Sequence, residues 1–129
     1  MLRKAKSTNK RRTKFLIHSD VQHLPFNNSS FDQVVATFVL CSVPNPITGL
    51  KEIKRILKPG GKLYLLEHVL PENKLLVKLF NVFNFITVTQ GGVFINCHTV
   101  ENVTEAGFKI EKEMNLLWTI FKLIIAKPN

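Results

Sequence analysis

The sequence predicts an α/β protein with a mostly parallel sheet, helices on both faces and an antiparallel edge at its C-terminal end. The run Leu63–Leu66 is apolar without alternation, which is typical of a strand covered on both faces. Just ahead of it, Leu50 and Ile53 recur at helical spacing. Further on, Phe108–Lys112 and Leu116–Ala126 predict two strands that pair antiparallel at a sheet edge.

Composition and charge divide the chain into two parts. The 129 residues are 45% hydrophobic, enough for one globular domain, and they carry a net charge of +9. Residues 1–14 hold seven of the basic side chains and no acidic one. We therefore predict a basic arm, residues 1–14, and a nearly neutral body, residues 15–129. Because no aromatic residue precedes Phe15, we favour a solvated arm and expect no nucleic-acid partner.

Cysteine usage and hydropathy indicate in which cellular compartment the protein is expected. The two cysteines, Cys41 and Cys97, predict free thiols in a reducing, cytoplasmic environment rather than a disulfide framework. No Cys and His pair has zinc spacing, so we expect no metal site. Residues 1–14 lack the apolar core of a secretory signal. The uncharged stretch 79–100 is too rich in Asn, Thr, Gln and Gly to span a membrane, so we expect no transmembrane segment.

The first half of the body alternates apolar runs with turn residues. Phe15–Ile17 predicts a short first strand that ends in a polar tripeptide. A loop fixed by Pro25 and an Asn- and Ser-rich turn then lead to a second strand over about Asp32–Val39. Asn45, followed by proline, fits the N-cap and first turn of a helix.

A Pro-Gly-Gly segment, Pro59–Gly61, separates this helix from the third strand. Proline cannot continue the helix, and the two glycines adopt backbone angles that strain other residues. The third strand ends at two ionisable residues, Glu67 and His68. Since ligands of parallel sheets bind outside the carboxyl ends of the strands, these two residues stand where a ligand is expected.

The chain beyond His68 has a different character. Residues 72–89 are apolar with few charges and predict one or two helices. Thr99 is predicted to cap a short helix that Gly107 terminates. We find no internal repeat and no low-complexity segment.

Six short motifs occur in order along residues 14–128. They are DVQHLPF from Asp20, SFD from Ser30, CSVP from Cys41, LKPGG from Leu57, EHV from Glu67 and AGF from Ala106. In this order and spacing the chain resembles a class I S-adenosylmethionine-dependent methyltransferase, of the branch that acts in quinone biosynthesis and on phospholipids. The resemblance implies a Rossmann-like fold, S-adenosylmethionine as cofactor, and methyl transfer to a small-molecule or lipid-like acceptor.

Two parts of that family's pattern do not occur in this sequence. The family has a glycine-rich turn after its first strand and an acidic residue after its second. Here no glycine-rich turn precedes Gly60 and no acidic residue precedes Asp20. We therefore expect an N-terminally truncated fold that lacks the first two strands and has impaired activity. The alternative is a non-catalytic fragment or interaction module that self-associates or pairs with a partner chain.

The resemblance assigns roles to four residues. Asp20 would accept a hydrogen bond from the adenine amino group, with the Val21 backbone beside the ring. Thr37 would lie next to the aminoacyl part of the cofactor, and His68 would act on the acceptor as a catalytic base or orienting group. Each residue also has an ordinary structural alternative. Asp20 would cap a turn, Thr37 would be a β-branched strand residue, and His68 would shape a loop. For His68 alone we favour the structural alternative. The apolar stretch 75–88 resembles the segment that covers the acceptor, although core packing explains it equally well.

Overall fold

The computed structural model describes residues 15–68, 98–116 and 121–129. In chain order the elements are β1 (Phe31–Thr37), a 3₁₀ turn (Leu40–Ser42), α1 (Pro46–Ile56), β2 (Leu57–His68), α2 (Thr99–Glu105), β3 (Phe108–Leu116) and β4 (Phe121–Pro128). The strands form one four-stranded sheet in the order β1-β2-β4-β3. β1 and β2 pair parallel, whereas β4 is antiparallel to both β2 and β3. The predicted α/β class and the antiparallel C-terminal edge are confirmed.

Both described helices pack on one face of this sheet. The core they share with the strands contains Leu50 and Ile53 of α1, Val103 of α2, Leu63 and Leu65 of β2, and Ile124 and Ala126 of β4. Along β2, buried residues alternate with half-buried ones, although the sequence itself does not alternate. Within the described ranges, no helix covers the second face.

Helix α1 begins as the sequence predicts. The Asn45 side chain accepts the Thr48 N–H at 3.0 Å, and Pro46 is the first helical residue, where its missing N–H costs no hydrogen bond. The helix ends at Ile56, before the Pro-Gly-Gly segment, because Leu57 already pairs with β1.

The Pro-Gly-Gly segment forms a bulge within β2 rather than a separate turn, and the β1–β2 register shifts across it. Gly60 has a φ of 80°, as predicted. Gly61 is required for another reason, which is space. A Cβ at Gly61 would lie 3.0 Å from the carbonyl oxygens of both Asp32 and Lys58.

The predicted first strand at Phe15–Ile17 is wrong. No β pairing in the described ranges involves these residues, and Phe15 and Ile17 are 80% and 53% exposed. A strand needs a neighbour for its backbone groups, and the described sheet offers none to this run. A short apolar run is therefore not enough to predict a strand at this position.

The short second helix also differs at its start. Thr99 is the first residue of α2 and is buried, and the N-cap position is His98 rather than Thr99. The helix ends as predicted, because Gly107 follows it with a φ of 86°. The predictions for residues 1–14, 72–89 and Cys97 lie outside the described residues.

Candidate functional site

Asp20 opens a tight turn at the start of the loop that leads to β1. Its Oδ1 accepts the Gln22 N–H at 2.9 Å and its Oδ2 accepts the Gln22 side-chain amide at 3.3 Å. The Gln22 N–H in particular holds the pKa of Asp20 below its ordinary value. The turn-capping role is therefore present. The carboxylate is also exposed and ionised, with lone pairs left for a ligand, so the cofactor role stays a prediction.

Val21 lines an open apolar cleft of about 360 Å³ beside β1. Ala36 and Val39, which flank the carboxyl end of β1, line the same cleft. So do Phe26 and Phe31, whose rings meet edge to face at 5.0 Å. The loop that carries Asp20 thus borders the end of β1, where a ligand of a parallel pair of strands is expected.

The carboxyl ends of β1 and β2 lie at one edge of the sheet. Thr37, the last residue of β1, is exposed and in register with Leu66 of β2. The Phe38 N–H continues this pairing by donating to the Leu66 carbonyl at 2.9 Å. His68, the last residue of β2, is in register with Phe121 of β4. The structure therefore brings the segments of Val21, Thr37 and His68 to the same edge, and their functional roles stay predictions.

Glu67 has a role that the sequence did not reveal. It is fully buried, and its Oε1 accepts the backbone N–H groups of Val39 at 2.9 Å and Leu40 at 3.1 Å. Burial raises the pKa of Glu67 above its ordinary value. The spacing from Leu63 and Leu65 was a signal, because every second residue of a strand shares a face. Glu67 therefore anchors the segment after β1 rather than facing an acceptor.

The surroundings of Glu67 include a thiol. Burial and the nearby Glu67 carboxylate raise the pKa of the Cys41 thiol, which is free and buried. Although Cys41 is near enough to influence Glu67, no described group sits at hydrogen-bonding geometry to Glu67 Oε2. Cys41 is part of the 3₁₀ turn after β1 and Glu67 is near the end of β2, so the pair lies where these two segments meet.

Two charged residues of α1 reach back to the loop that follows Asp20. Glu52 Oε2 accepts the Leu24 N–H at 3.0 Å. Arg55 donates to the Leu24 carbonyl at 2.9 Å and to the Phe26 carbonyl at 2.7 Å. The two side chains also form an ion pair at 2.8 Å, and this hydrogen bond from Arg55 lowers the pKa of Glu52 to about 2. The sequence showed no sign of these contacts, because they join the helix to a loop about 30 residues earlier in the chain.

Neither a cluster of metal-ligating side chains nor a membrane-spanning helix occurs in the part of the chain that the structure describes. There, no group of three or more His, Cys, Asp or Glu side chains is placed to hold a metal ion. Nor is any helix of this part both long and apolar enough to cross a membrane.

Comparison with curated proteins shows similarity to quinone-pathway enzymes. Demethylmenaquinone methyltransferase of Staphylococcus epidermidis is 39% identical over 80 residues, covering 61% of this chain and 33% of the relative. The same enzyme of Staphylococcus haemolyticus is 40% identical over 82 residues, covering 61% of this chain and 34% of the relative. The matched part thus spans about a third of the length of these relatives.

Solved structures share the fold. An S-adenosylmethionine-dependent methyltransferase of Methanosarcina mazei superposes with a TM-score of 0.63 at 26% identity, covering 85% of this chain and 65% of that one. A Haloferax volcanii complex of the Trm112 methyltransferase activator with a methyltransferase gives a TM-score of 0.73 at 19% identity, covering 100% of this chain and 68% of that one. The latter likeness concerns the fold alone.

The sequence model of the methyltransferase domain family matches residues 1–65, which is half of the chain. This match contains β1, α1 and most of β2, together with the loop of Asp20 and Val21. The division at residue 14 stays a prediction. On these grounds the chain belongs to the methyltransferase domain family and has part of the class I S-adenosylmethionine-dependent methyltransferase fold.

Proposed function

We propose that this chain forms the adenine side of an S-adenosylmethionine site and takes part in methyl transfer to a small-molecule or lipid-like acceptor. The observation that carries this proposal is the place of Val21, the neighbour of Asp20, on the apolar cleft that extends from Phe31, at the start of β1, to Val39, just after it. Family membership supplies the class of reaction. We also propose a cytoplasmic location, in keeping with the free thiol of Cys41.

The residues at the cleft suit the adenine group. Adenine is a flat, largely apolar ring with a polar edge. The cleft offers apolar walls, and the lining residue Val21 directly follows the exposed, ionised carboxylate of Asp20. Asp20 would accept a hydrogen bond from the adenine amino group, and the Val21 backbone would lie against the ring edge. The cofactor, when bound, supplies the methyl group. The chain's residues would contribute mainly by positioning it, an effect worth about 7–11 kcal/mol in well-oriented reactions.

The acceptor side of the site is proposed from the strand ends. Thr37 would border the aminoacyl part of the cofactor, and His68 would orient the acceptor or take its proton, since imidazole titrates near neutrality. The staphylococcal relatives are named for demethylmenaquinone, which supports an apolar, quinone-like acceptor. The stretch 75–88, which the sequence suggests covers the acceptor, lies outside the described residues.

In the family that the chain resembles, a glycine-rich turn approaches the methionine end of the cofactor. The sequence has no glycine-rich turn ahead of Gly60. We therefore expect a polypeptide of these residues alone to bind S-adenosylmethionine weakly and to show impaired methyl transfer. Calorimetry that found micromolar affinity for this polypeptide would contradict that expectation.

The adenine role can be tested by an NMR titration of the 129-residue chain with S-adenosylhomocysteine. We expect the amide signals of Asp20 and Val21 to shift on addition of the ligand. Asp20→Asn should weaken binding about tenfold, because a hydrogen bond to a charged acceptor contributes about 1.5–3 kcal/mol. Asp32→Asn is the matched control, since Asp32 is an exposed carboxylate at the opposite end of β1. Equal loss in both variants, or no shift at Asp20 and Val21, would refute the adenine role.

A second proposal is that the chain acts as an interaction module. Within the described sheet no strand pairs with the outer edge of β1, and Val35 on that strand is 69% exposed. Free strand edges with apolar side chains favour pairing with another chain. Light scattering should then show a dimer that Val35→Lys disrupts, with Lys109→Ala on β3 as control. A monomer at all concentrations would rule out self-association.

A further inference from the structure

One face of α1 follows the loop at residues 20–28 along its whole length. Four residues of this face contact the loop: Asn45 at the N-cap, then Gly49, Glu52 and Arg55. Their spacings of four, three and three positions place them on one side of a helix. We call these four residues the loop-facing stripe of α1.

The N-terminal end of the stripe contacts Val21 directly and reaches Asp20 through Gln22. The Asn45 N–H donates to the Gln22 side-chain carbonyl at 3.1 Å, and the Gln22 side-chain amide donates to Asp20 Oδ2 at 3.3 Å. Gln22 thus connects the helix N-cap to the carboxylate. One turn further, Gly49 lies so close to Val21 that a Cβ there would be 3.3 Å from Val21 Cγ1. The absence of a side chain at Gly49 therefore lets Val21 sit against the helix.

The C-terminal end of the stripe holds the rest of the loop by its backbone. Both the N–H and the carbonyl of Leu24 are bound, the first by Glu52 and the second by Arg55. Arg55 also donates to the Phe26 carbonyl and to Asn28 Oδ1 at 2.9 Å. A planar guanidinium with several donors in fixed directions holds a chain more rigidly than an ammonium does. The loop is therefore fixed to α1 at both of its ends.

We propose that the loop-facing stripe is a positioning device that sets Asp20 and Val21 at the polar edge of a purine and makes the site selective for a 6-amino over a 6-oxo purine nucleoside. This inference rests on the proposed function. An ionised carboxylate only accepts hydrogen bonds, so it pairs with an amino group and repels a carbonyl oxygen. Because hydrogen bonds weaken steeply with distance and angle, such discrimination depends on where the carboxylate is held.

The test compares two ligands on the full 129-residue chain, S-adenosylhomocysteine and its 6-oxo counterpart S-inosylhomocysteine. Gln22→Ala removes the connection to Asp20, and Arg55→Lys keeps the charge but not the planar set of donors. Both changes are mild enough for a folded protein, which far-UV circular dichroism checks. Lys58→Met is the control, because Lys58 forms an ion pair with Asp32 away from the loop. Hydrogen exchange of the Leu24 amide reports in parallel whether the loop is still held.

We expect the wild-type chain to prefer the adenosyl ligand about tenfold, equivalent to 1.4 kcal/mol, and both variants to reduce this preference to about threefold or less. The affinity of both variants for the inosyl ligand should stay close to that of the wild-type chain. The control variant Lys58→Met should keep the wild-type preference for the adenosyl ligand. An unchanged preference in both variants would overturn the inference, whether or not Leu24 exchanges faster. Binding of neither ligand by the wild-type chain would instead overturn the proposed function, and this inference with it.

Discussion

The buried carboxylate of Glu67 accepts the backbone N–H of Val39 at 2.9 Å, which joins the end of β2 to the segment that follows β1. The Leu40 N–H donates to the same oxygen at 3.1 Å. Val39 also lines the apolar cleft, so the Glu67 side chain supports one wall of the candidate site from inside the core. Its removal should therefore affect stability and the shape of the cleft together.

Glu67→Val should destabilise the protein strongly. The substitution leaves the N–H groups of Val39 and Leu40 without their acceptor, at a cost of about 1–3 kcal/mol for each buried unpaired donor. Glu67→Gln keeps a carbonyl oxygen at this position and should cost less. Urea unfolding followed by circular dichroism measures both. Equal losses for the two variants would show that the hydrogen bonds contribute nothing.

The same residue predicts an unusual dependence of stability on pH. Burial raises the pKa of Glu67 above its ordinary value of 4.5, so the folded state binds this proton more tightly than the unfolded state. The contribution of Glu67 is therefore full below pH 4.5 and falls as the pH rises from there through the raised pKa. Relative to Glu67→Gln, the wild-type protein should lose stability as the pH rises above 4.5 and through the raised pKa of Glu67. A constant difference between the two proteins would contradict this.

Glu52 should make the stability of the folded protein depend on pH in the opposite direction. Its hydrogen bond with Arg55 lowers the pKa of Glu52 from 4.5 to about 2 in the folded protein. The stability it contributes is therefore full above pH 4.5 and is lost as the pH falls towards 2. Glu52→Gln should flatten the acid side of the stability profile, as should Arg55→Met, which removes the partner. Acid unfolding curves that keep the wild-type slope in both variants would refute the coupling.

Local signals in the sequence predicted the parts of the fold that depend on local chemistry. Asn45 caps α1 because its side chain reaches an N–H three residues ahead, and Gly107 ends α2 because it adopts a positive φ. Phe15–Ile17 failed as a strand because strand formation depends on a neighbour that an apolar run does not specify. Pairing is a property of the sheet, not of the segment.

The candidate site shows the same division. The family resemblance assigned cofactor or acceptor roles to Asp20, Thr37 and His68, and their segments do lie at one edge of the sheet. It did not predict that Glu67 turns into the core, nor that Glu52 and Arg55 bind the backbone of residues 24–26. Those contacts join residues about 28 positions apart, and no local pattern reports on them.

The two glycines of the β2 bulge should respond differently to substitution. Gly60 has a φ of 80° and open space around it, so Gly60→Ala costs strain of about 1–2 kcal/mol. Asn tolerates this region better, and Gly60→Asn should recover part of the loss. Any side chain at Gly61 meets two backbone oxygens, so Gly61→Asn should be no better than Gly61→Ala. Thermal unfolding of the four variants measures these stabilities. If Gly61→Asn were more stable than Gly61→Ala, space would not be the constraint at Gly61.

At Phe38, which directly follows β1, the glycine variant should be more stable than the alanine variant, the reverse of the usual order. Its φ of 54° lies in the left-handed region, which costs a non-glycine residue about 1–2 kcal/mol. Its ring meets that of Phe121 edge to face at 5.7 Å, a contact that both Phe38→Ala and Phe38→Gly remove. Only Phe38→Gly also relieves the backbone, so it should be the more stable of the two.

Val35 provides the matched control, because it lies within β1, the strand that Phe38 follows, and has no positive φ. There Gly should be less stable than Ala by about 0.5–1 kcal/mol, the ordinary cost of glycine within a strand. Urea unfolding of the four variants measures both differences. If Phe38→Gly were less stable than Phe38→Ala, as expected at Val35, the backbone at the end of β1 would carry no strain. The segment supported by Glu67 would then adopt its path without cost.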